Sequence, residues 1–242
     1  MNTYLARLQN KPYFKRNELL ELVQLDKPTI SKSSFYRLMK RMLDDEDIIR
    51  VGRDAYCVPK KRLSLYNYQY CSQTMDLASY MKEKYPKIDF RIFETVQLNV
   101  FLNQLIGRNT IFLSVEEDLG SFIFDELRNR YDNNVLLYPD EEIYYQYWKE
   151  DVIIVEKLPS ESPRGQNEFW NTCLEKMLVD IMSDKLMMHT FSESEYLLIY
   201  ETAFENYIID ESQMFRYARR RNAAGKLMKY LKDNTSVKLR TR

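Results

Sequence analysis

The stretch on which the fold turns is Ser31-Lys32-Ser33-Ser34-Phe35-Tyr36-Arg37-Leu38-Met39-Lys40-Arg41-Met42. After the acidic run Asp44-Asp45-Glu46-Asp47 it continues as Ile48-Ile49-Arg50-Val51-Gly52-Arg53-Asp54-Ala55-Tyr56-Cys57-Val58-Pro59. Phe35, Leu38, Met39 and Met42 recur at i, i+3, i+4 and i+7, a spacing that predicts a helix with one buried stripe. Ser31 is placed to cap it, its hydroxyl accepting from the free backbone donors of the first turn. Ser33, Arg37 and Lys40 fall on the opposite face, with Tyr36 and Arg41 on its flanks. Hydroxyls near the N-terminal end, cations and few carboxylates are the character of a helix that reads the major groove.

On either side of that helix the pattern changes. Residues 48–51 are rich in β-branched side chains and predict a strand. Gly52-Arg53-Asp54 supplies a turn, residues 55–58 return as a second strand, and Pro59 ends it. Upstream, residues 15–23 carry Leu19, Leu20, Leu22 and Val23 and predict a short helix, broken before Pro28. Helix, turn, basic helix and hairpin with an arginine at its tip is the order of a winged helix-turn-helix, assigned here to residues 1–62. Arg53 would meet a phosphate or the minor groove. The competing reading is a small helical module for protein contacts.

Lys60-Lys61-Arg62 links this head to residues 63–242, where the pattern predicts a small sheet with helices packed on it. A helix is expected at 76–85, closed by Pro86. Strands are expected at 88–93, 110–115, 134–138 and 152–155, with helical patterns at 96–106 and 119–131. The remainder is helical. One helix spans 169–188, with Asp180 and Asp184 among Leu174, Met177, Leu178, Ile181 and Met182. A second opens at the capping box Ser192-Glu193-Ser194-Glu195 and runs to about residue 207. A third covers 212–232 and carries Arg219, Arg220 and Arg221. The expected fold class is therefore α+β: an N-terminal winged helix-turn-helix, a small α/β sheet domain and a helical C-terminal region.

Composition removes much chemistry. One histidine, His189, excludes polyhistidine metal cages and two-histidine catalysis. The five glycines are isolated, so neither a P-loop nor a G-x-G-x-x-G turn exists, and no G-x-S-x-G elbow presents a serine. Cys57, Cys71 and Cys173 are far apart and odd in number, which fits a reducing cytoplasm better than a disulfide framework or a zinc module. No apolar run approaches the roughly 18 residues of a membrane span, and the first residues lack the apolar core of a secretory signal. No catalytic residue, metal or cofactor is expected. The enzyme alternative is a magnesium-dependent nuclease using Asp89, Glu94 or Glu116, in or just after the strands. The lysine that usually accompanies such carboxylates is missing from Ser114-Val115-Glu116-Glu117, and residues of this kind more often cap helices or face water. A ligand-responsive repressor is the third reading.

Charge is level over the 242 residues, 36 Lys and Arg against 36 Asp and Glu, but not along them. Residues 1–63 hold 14 basic and 8 acidic side chains, residues 64–215 hold 12 and 27, and residues 216–242 hold 10 and 1. A basic head suits a polyanion, since phosphate neutralisation supplies most sequence-independent affinity for DNA. Arg219, Arg220 and Arg221 could bind DNA, clamp an acidic partner surface, or pair with the acidic body.

The head, through Ser33-Ser34-Phe35-Tyr36-Arg37-Leu38 and Ile48-Ile49-Arg50-Val51-Gly52-Arg53-Asp54-Ala55-Tyr56, resembles the N-terminal winged helix of AbiEi-type antitoxins of bacterial type IV toxin–antitoxin, or abortive-infection, systems. Leu174-Glu175-Lys176-Met177-Leu178-Val179-Asp180-Ile181 and Tyr217-Ala218-Arg219-Arg220-Arg221 look like the C-terminal signature of the same group. The resemblance implies an autorepressor whose head binds inverted repeats of double-stranded promoter DNA. Its C-terminal region would counteract a toxin similar to nucleotidyltransferases. Carried over, Ser33, Tyr36, Arg37, Lys40 and Arg53 would contact DNA, and Arg41 lies beside them. The acidic run Asp44–Asp47 departs from the pattern, standing where a glycine often sits.

Overall fold

The computed structural model describes residues 3–59, 63–188 and 191–241. Lys60, Lys61 and Arg62, the expected link, and His189 lie outside the described residues. The fold is α+β. Its first element, α1 (Thr3–Leu8), is absent from the sequence reading because six residues are too few to display a period. Next come α2 (Arg16–Asp26) and α3 (Lys32–Asp44), then an antiparallel hairpin of β1 (Ile49–Gly52) and β2 (Ala55–Cys57). Leu19 and Val23 of α2 close on Phe35, Met39 and Met42 of α3, joined by Phe14 and Tyr56. Phe14 also exchanges both backbone hydrogen bonds with Tyr56, at 2.7 and 2.9 Å, and so extends the hairpin by one bridge.

In the body, α4 (Ser72–Lys84) starts four residues before the predicted 76, capped by Cys71, whose Sγ accepts from the Thr74 N–H. A four-stranded sheet follows, built from β3 (Phe90–Glu94), β4 (Thr110–Val115), β5 (Val135–Leu137) and β6 (Val152–Lys157). Its order is β3-β4-β6-β5, with β3 antiparallel to β4 and the other pairs parallel. Between the strands lie α5 (Gly120–Arg130) and α6 (Glu141–Tyr147). The helix expected at 96–106 is a 3-10 helix over Thr95–Phe101, because the Asn99 carboxamide bonds the backbone of Ile106 and folds the chain into a loop instead. No residue of α6 is buried, so it carries no apolar stripe for a sequence reading to find.

Both sheet faces are covered, which explains the near-continuous apolar strands. Phe90, Ile92, Ile111, Leu113, Ile153 and Val155 face Leu77 and Met81 of α4 and Ile123 and Leu127 of α5. Phe93, Phe112 and Ile154 face the helical C-terminal region. That region comprises α7 (Leu174–Ser183), α8 (Lys185–Met188), α9 (Glu193–Asn206), α10 (Glu211–Arg220) and α11 (Ala224–Asn234). Two predicted helices are each divided in two. The 169–188 helix begins at Leu174 and breaks at Asp184, whose Oδ1 accepts from the N–H groups of Leu186 and Met187. The 212–232 helix breaks at Asn222, where φ is 52° and the Ala223 N–H returns 2.8 Å to the Ala218 carbonyl, a left-handed helix stop. Among the described residues no helix is long and apolar enough to cross a membrane.

Head and body meet along the hairpin. Ile49, Val51, Ala55 and Cys57 pack with Leu63 and Ile208 in a small core of their own. Ser64 and Tyr207 form a parallel bridge beside it, and Arg50 approaches Asp210 at 3.9 Å.

Candidate nucleic-acid interface

The helix α3 is amphipathic as its spacing predicts: Phe35, Met39 and Met42 are buried, while Ser33, Tyr36, Arg37, Lys40 and Arg41 are all exposed. Ser31 caps it, its Oγ accepting from the Ser34 N–H at 3.2 Å and lying 3.0 Å from the hydroxyls of Ser33 and Ser34. Among the described residues Arg37 bonds locally, Nη2 donating to Ser34 Oγ at 3.4 Å. On one side the helix borders a groove of about 780 Å³ against the turn after α2, lined by Lys27, Ser31, Ser34, Arg37 and Arg41. Asp44, Asp45 and Asp47 are exposed at the C-terminal end of α3, directly beyond Lys40 and Arg41, so the positive surface stops there. Glu46 has φ 58°, a left-handed conformation that glycine adopts most readily. The position therefore demands a glycine-like backbone although the side chain is glutamate.

Arg53 is exposed at the hairpin tip. A residue that periodicity does not single out, Arg16 at the start of α2, connects the tip to α3. Its guanidinium lies 5.6 Å from the centroid of the Tyr36 ring, within 3.5 Å of Tyr56 Oη, and 3.5 Å from Asp54 Oδ1 through Nε. Hydrogen bonds to Tyr56 and then Tyr36 raise its pKa further above the ordinary arginine value, so it stays charged. The α3 flank and the turn thus share one cation, and the surface combines Arg16, Arg37, Lys40, Arg41 and Arg53 with the hydroxyls of Ser33 and Tyr36. Chemically it offers donors to an anionic backbone and a helix for a groove.

The C-terminal arginines separate. Arg219 and Arg220 are exposed, and Arg220 pairs with Glu161. Arg221 turns inward: its Nε bonds Ser183 Oγ at 3.0 Å and lies 3.3 Å from Asp180 Oδ1, and its Nη2 is 3.6 Å from Asp184. Intramolecular pairing, one of the sequence alternatives, therefore describes both Arg220, at the surface with Glu161, and Arg221, because Asp180 of α7 sits below the end of α10. Asp180 also accepts from Lys176 Nζ and from Tyr217 Oη. Ser114 of β4 and Glu156 of β6 adjoin this buried network, Ser114 Oγ donating to Glu156 at 2.6 Å. Burial, with Asp184 adding, pushes the Glu156 carboxyl up to about 7. Sequence spacing shows only its Lys176–Asp180 pair, at i and i+4; the rest assembles from two strands and a second helix elsewhere in the chain.

Of the strand carboxylates, Asp89 and Glu116 lie at the same end of the sheet and Glu94 lies apart from them. Asp89 is held by Arg91 at 2.7 Å and Arg164 at 3.4 Å, and its N–H donates to Glu116. Glu94 sits at the other end of β3, accepting from Tyr68 Oη and the Cys71 N–H. Among the described residues no group of three or more histidine, cysteine, aspartate or glutamate side chains has the arrangement of a metal site.

Comparison with known proteins gives a partial likeness to the protein translocase subunit SecA of Antithamnion sp., 30% identical over 111 residues. That match covers 40% of this chain and 12% of the SecA subunit, so the chain spans a small part of that relative's length. A family match is far more extensive, running over residues 34–237, from the first turn of α3 to beyond α11, and by it the chain belongs to the family described as "Family of unknown function (DUF6577)".

Proposed function

We propose that this chain is a DNA-binding transcriptional regulator of the bacterial cytoplasm, its head a winged helix-turn-helix that docks α3 in the major groove. One observation carries the reading: the outer face of α3 is exposed and cationic, and Arg16 ties it to the hairpin tip bearing Arg53. In this arrangement Ser33, Arg37 and Lys40 approach base edges, Tyr36 and Arg41 the flanking backbone, and Arg53 a phosphate or the minor groove. The resemblance to AbiEi-type antitoxins supplies the second half: the protein represses its own promoter and counteracts a nucleotidyltransferase-like toxin. The exposed Arg219 suits an acidic partner surface, Arg220 beside it is paired with Glu161, and Arg221 serves the interior of the body.

Two experiments test the two halves separately. A fragment of upstream DNA is expected to bind with an affinity that falls steeply with salt. About five phosphate contacts give a slope of log K against log[salt] near −4.5. A flat salt dependence removes the DNA assignment. Co-expression with a neighbouring nucleotidyltransferase-like reading frame is expected to rescue growth that the toxin alone arrests. Continued arrest removes the antitoxin half and leaves the regulator standing.

A further inference from the structure

At the end of the sheet where β4 and β6 begin, the body contains a cleft of about 290 Å³ that belongs neither to the head nor to the buried ionic network. Tyr144, Tyr145, Trp148 and Phe191 form its walls, with Arg108 and Glu195 at its polar edge. Two of the rings are fixed by their polar ends to one buried hydroxyl: Trp148 Nε1 donates to Thr110 Oγ1 at 3.1 Å, and Tyr144 Oη lies 2.8 Å from the same oxygen. Tyr145 remains 57% exposed. The guanidinium of Arg108 lies 4.9 Å from the Trp148 ring centroid, a cation–π distance.

The charges here are unequally committed. Glu195 accepts from both the N–H and the Oγ of Ser192 in the cap of α9, and nearby Glu150 accepts from the Asn109 N–H. Arg108 is exposed and has no carboxylate within ion-pair distance among the described residues. Pre-fixed aromatic walls, a volume suited to one or two fused rings and a guanidinium that rests on Trp148 without a carboxylate partner among the described residues define a ligand by chemistry.

We propose that this cleft binds a small planar aromatic anion, its ring against Trp148 and Tyr145 and its carboxylate or phosphate on Arg108. The assignment is independent of what the head binds. Trp148 lines the cleft whereas the other tryptophan, Trp170, is 3% exposed within the second core, so tryptophan fluorescence of the full chain reports occupancy. Benzoate and nicotinate, which do not emit in the tryptophan band, supply the carboxylate arm, AMP the phosphate arm, and benzyl alcohol a neutral ring. At least one anion is expected to quench saturably below about 1 mM. Arg108→Gln is expected to weaken that anion about tenfold or more while leaving benzyl alcohol unchanged. Tyr145→Ala is expected to weaken every ring. Both residues are exposed, so unchanged melting temperatures verify that the variants fold. Absence of saturable quenching by all three anions overturns the proposal, as does an Arg108→Gln variant that binds them as tightly as the parent or loses the neutral ring equally.

Discussion

At Gly52 a Cβ would lie 2.5 Å from Ser212 Oγ and 3.3 Å from the Thr241 methyl, so the hairpin meets α10 and the C-terminal tail only where no side chain stands between them. Gly52→Ala is expected to lower stability by about 1–2 kcal/mol through this overpacking. Adding Ser212→Gly removes the nearest atom and should recover most of the loss; a urea-unfolding double-mutant cycle with no coupling contradicts the contact. Asp180 carries a heavier load, since its removal strands Lys176, 2% exposed, and leaves the inward-facing Arg221 with Asp184 as its remaining carboxylate. Asp180→Ala is expected to cost about 3–5 kcal/mol, measured by the same method. Glu156 gives the pH dependence. Its folded pKa, about 7, stands above that of an unfolded glutamate, so the native state holds the proton more tightly. That contribution to stability is complete below the unfolded value and is lost as pH rises through about 7. The melting temperature should therefore decline between pH 5 and 8, and Glu156→Gln should flatten the decline. An identical slope in the variant excludes Glu156 as its source. None of these three roles is legible in the sequence, because each rests on a neighbour from a distant part of the chain: Gly52 on Ser212, Asp180 on Arg221, Glu156 on Ser114.

Single elements were legible where local chemistry decides them. Phe35, Met39 and Met42 recur at helical spacing and are buried, Ser31 caps α3, and the reciprocal bonds of Ser192 and Glu195 open α9 as the capping box predicts. The strand expected at 110–115 is β4 residue for residue, since its apolar run lies between two covered faces. Breaks without punctuation were not legible. No proline or glycine marks the stop between α10 and α11, which Asn222 makes by adopting φ 52°. Asn222→Val is expected to destabilise by about 1–2 kcal/mol, since a branched side chain resists that conformation, whereas Asn222→Gly should be neutral or stabilising. Equal thermal melts for Asn222→Val and the parent contradict this role. The short α6 escaped for the opposite reason: of EEIYYQY only Tyr144 packs on the core, and it is half-buried, so no period was available to read.

Over the whole molecule, the uneven charge was the most informative feature of composition, because it marked the basic head before any element was placed. The alternation of strands and helices likewise foretold a sheet with helices on it. The order β3-β4-β6-β5, the docking of the hairpin on the body and the inward turn of Arg221 depend on tertiary pairing, to which a single chain's periodicity is blind. Since the hairpin is packed on the body rather than standing free, duplex bound at α3 and Arg53 would lie at a fixed orientation to the body. The most direct test of the regulator account is fluorescence anisotropy of labelled upstream DNA titrated with the parent chain and with Arg37→Ala combined with Lys40→Ala. Both side chains are exposed, so the fold should survive. The account predicts salt-sensitive, specific binding by the parent and its loss in the double variant, whereas equal binding by the two proteins would contradict it.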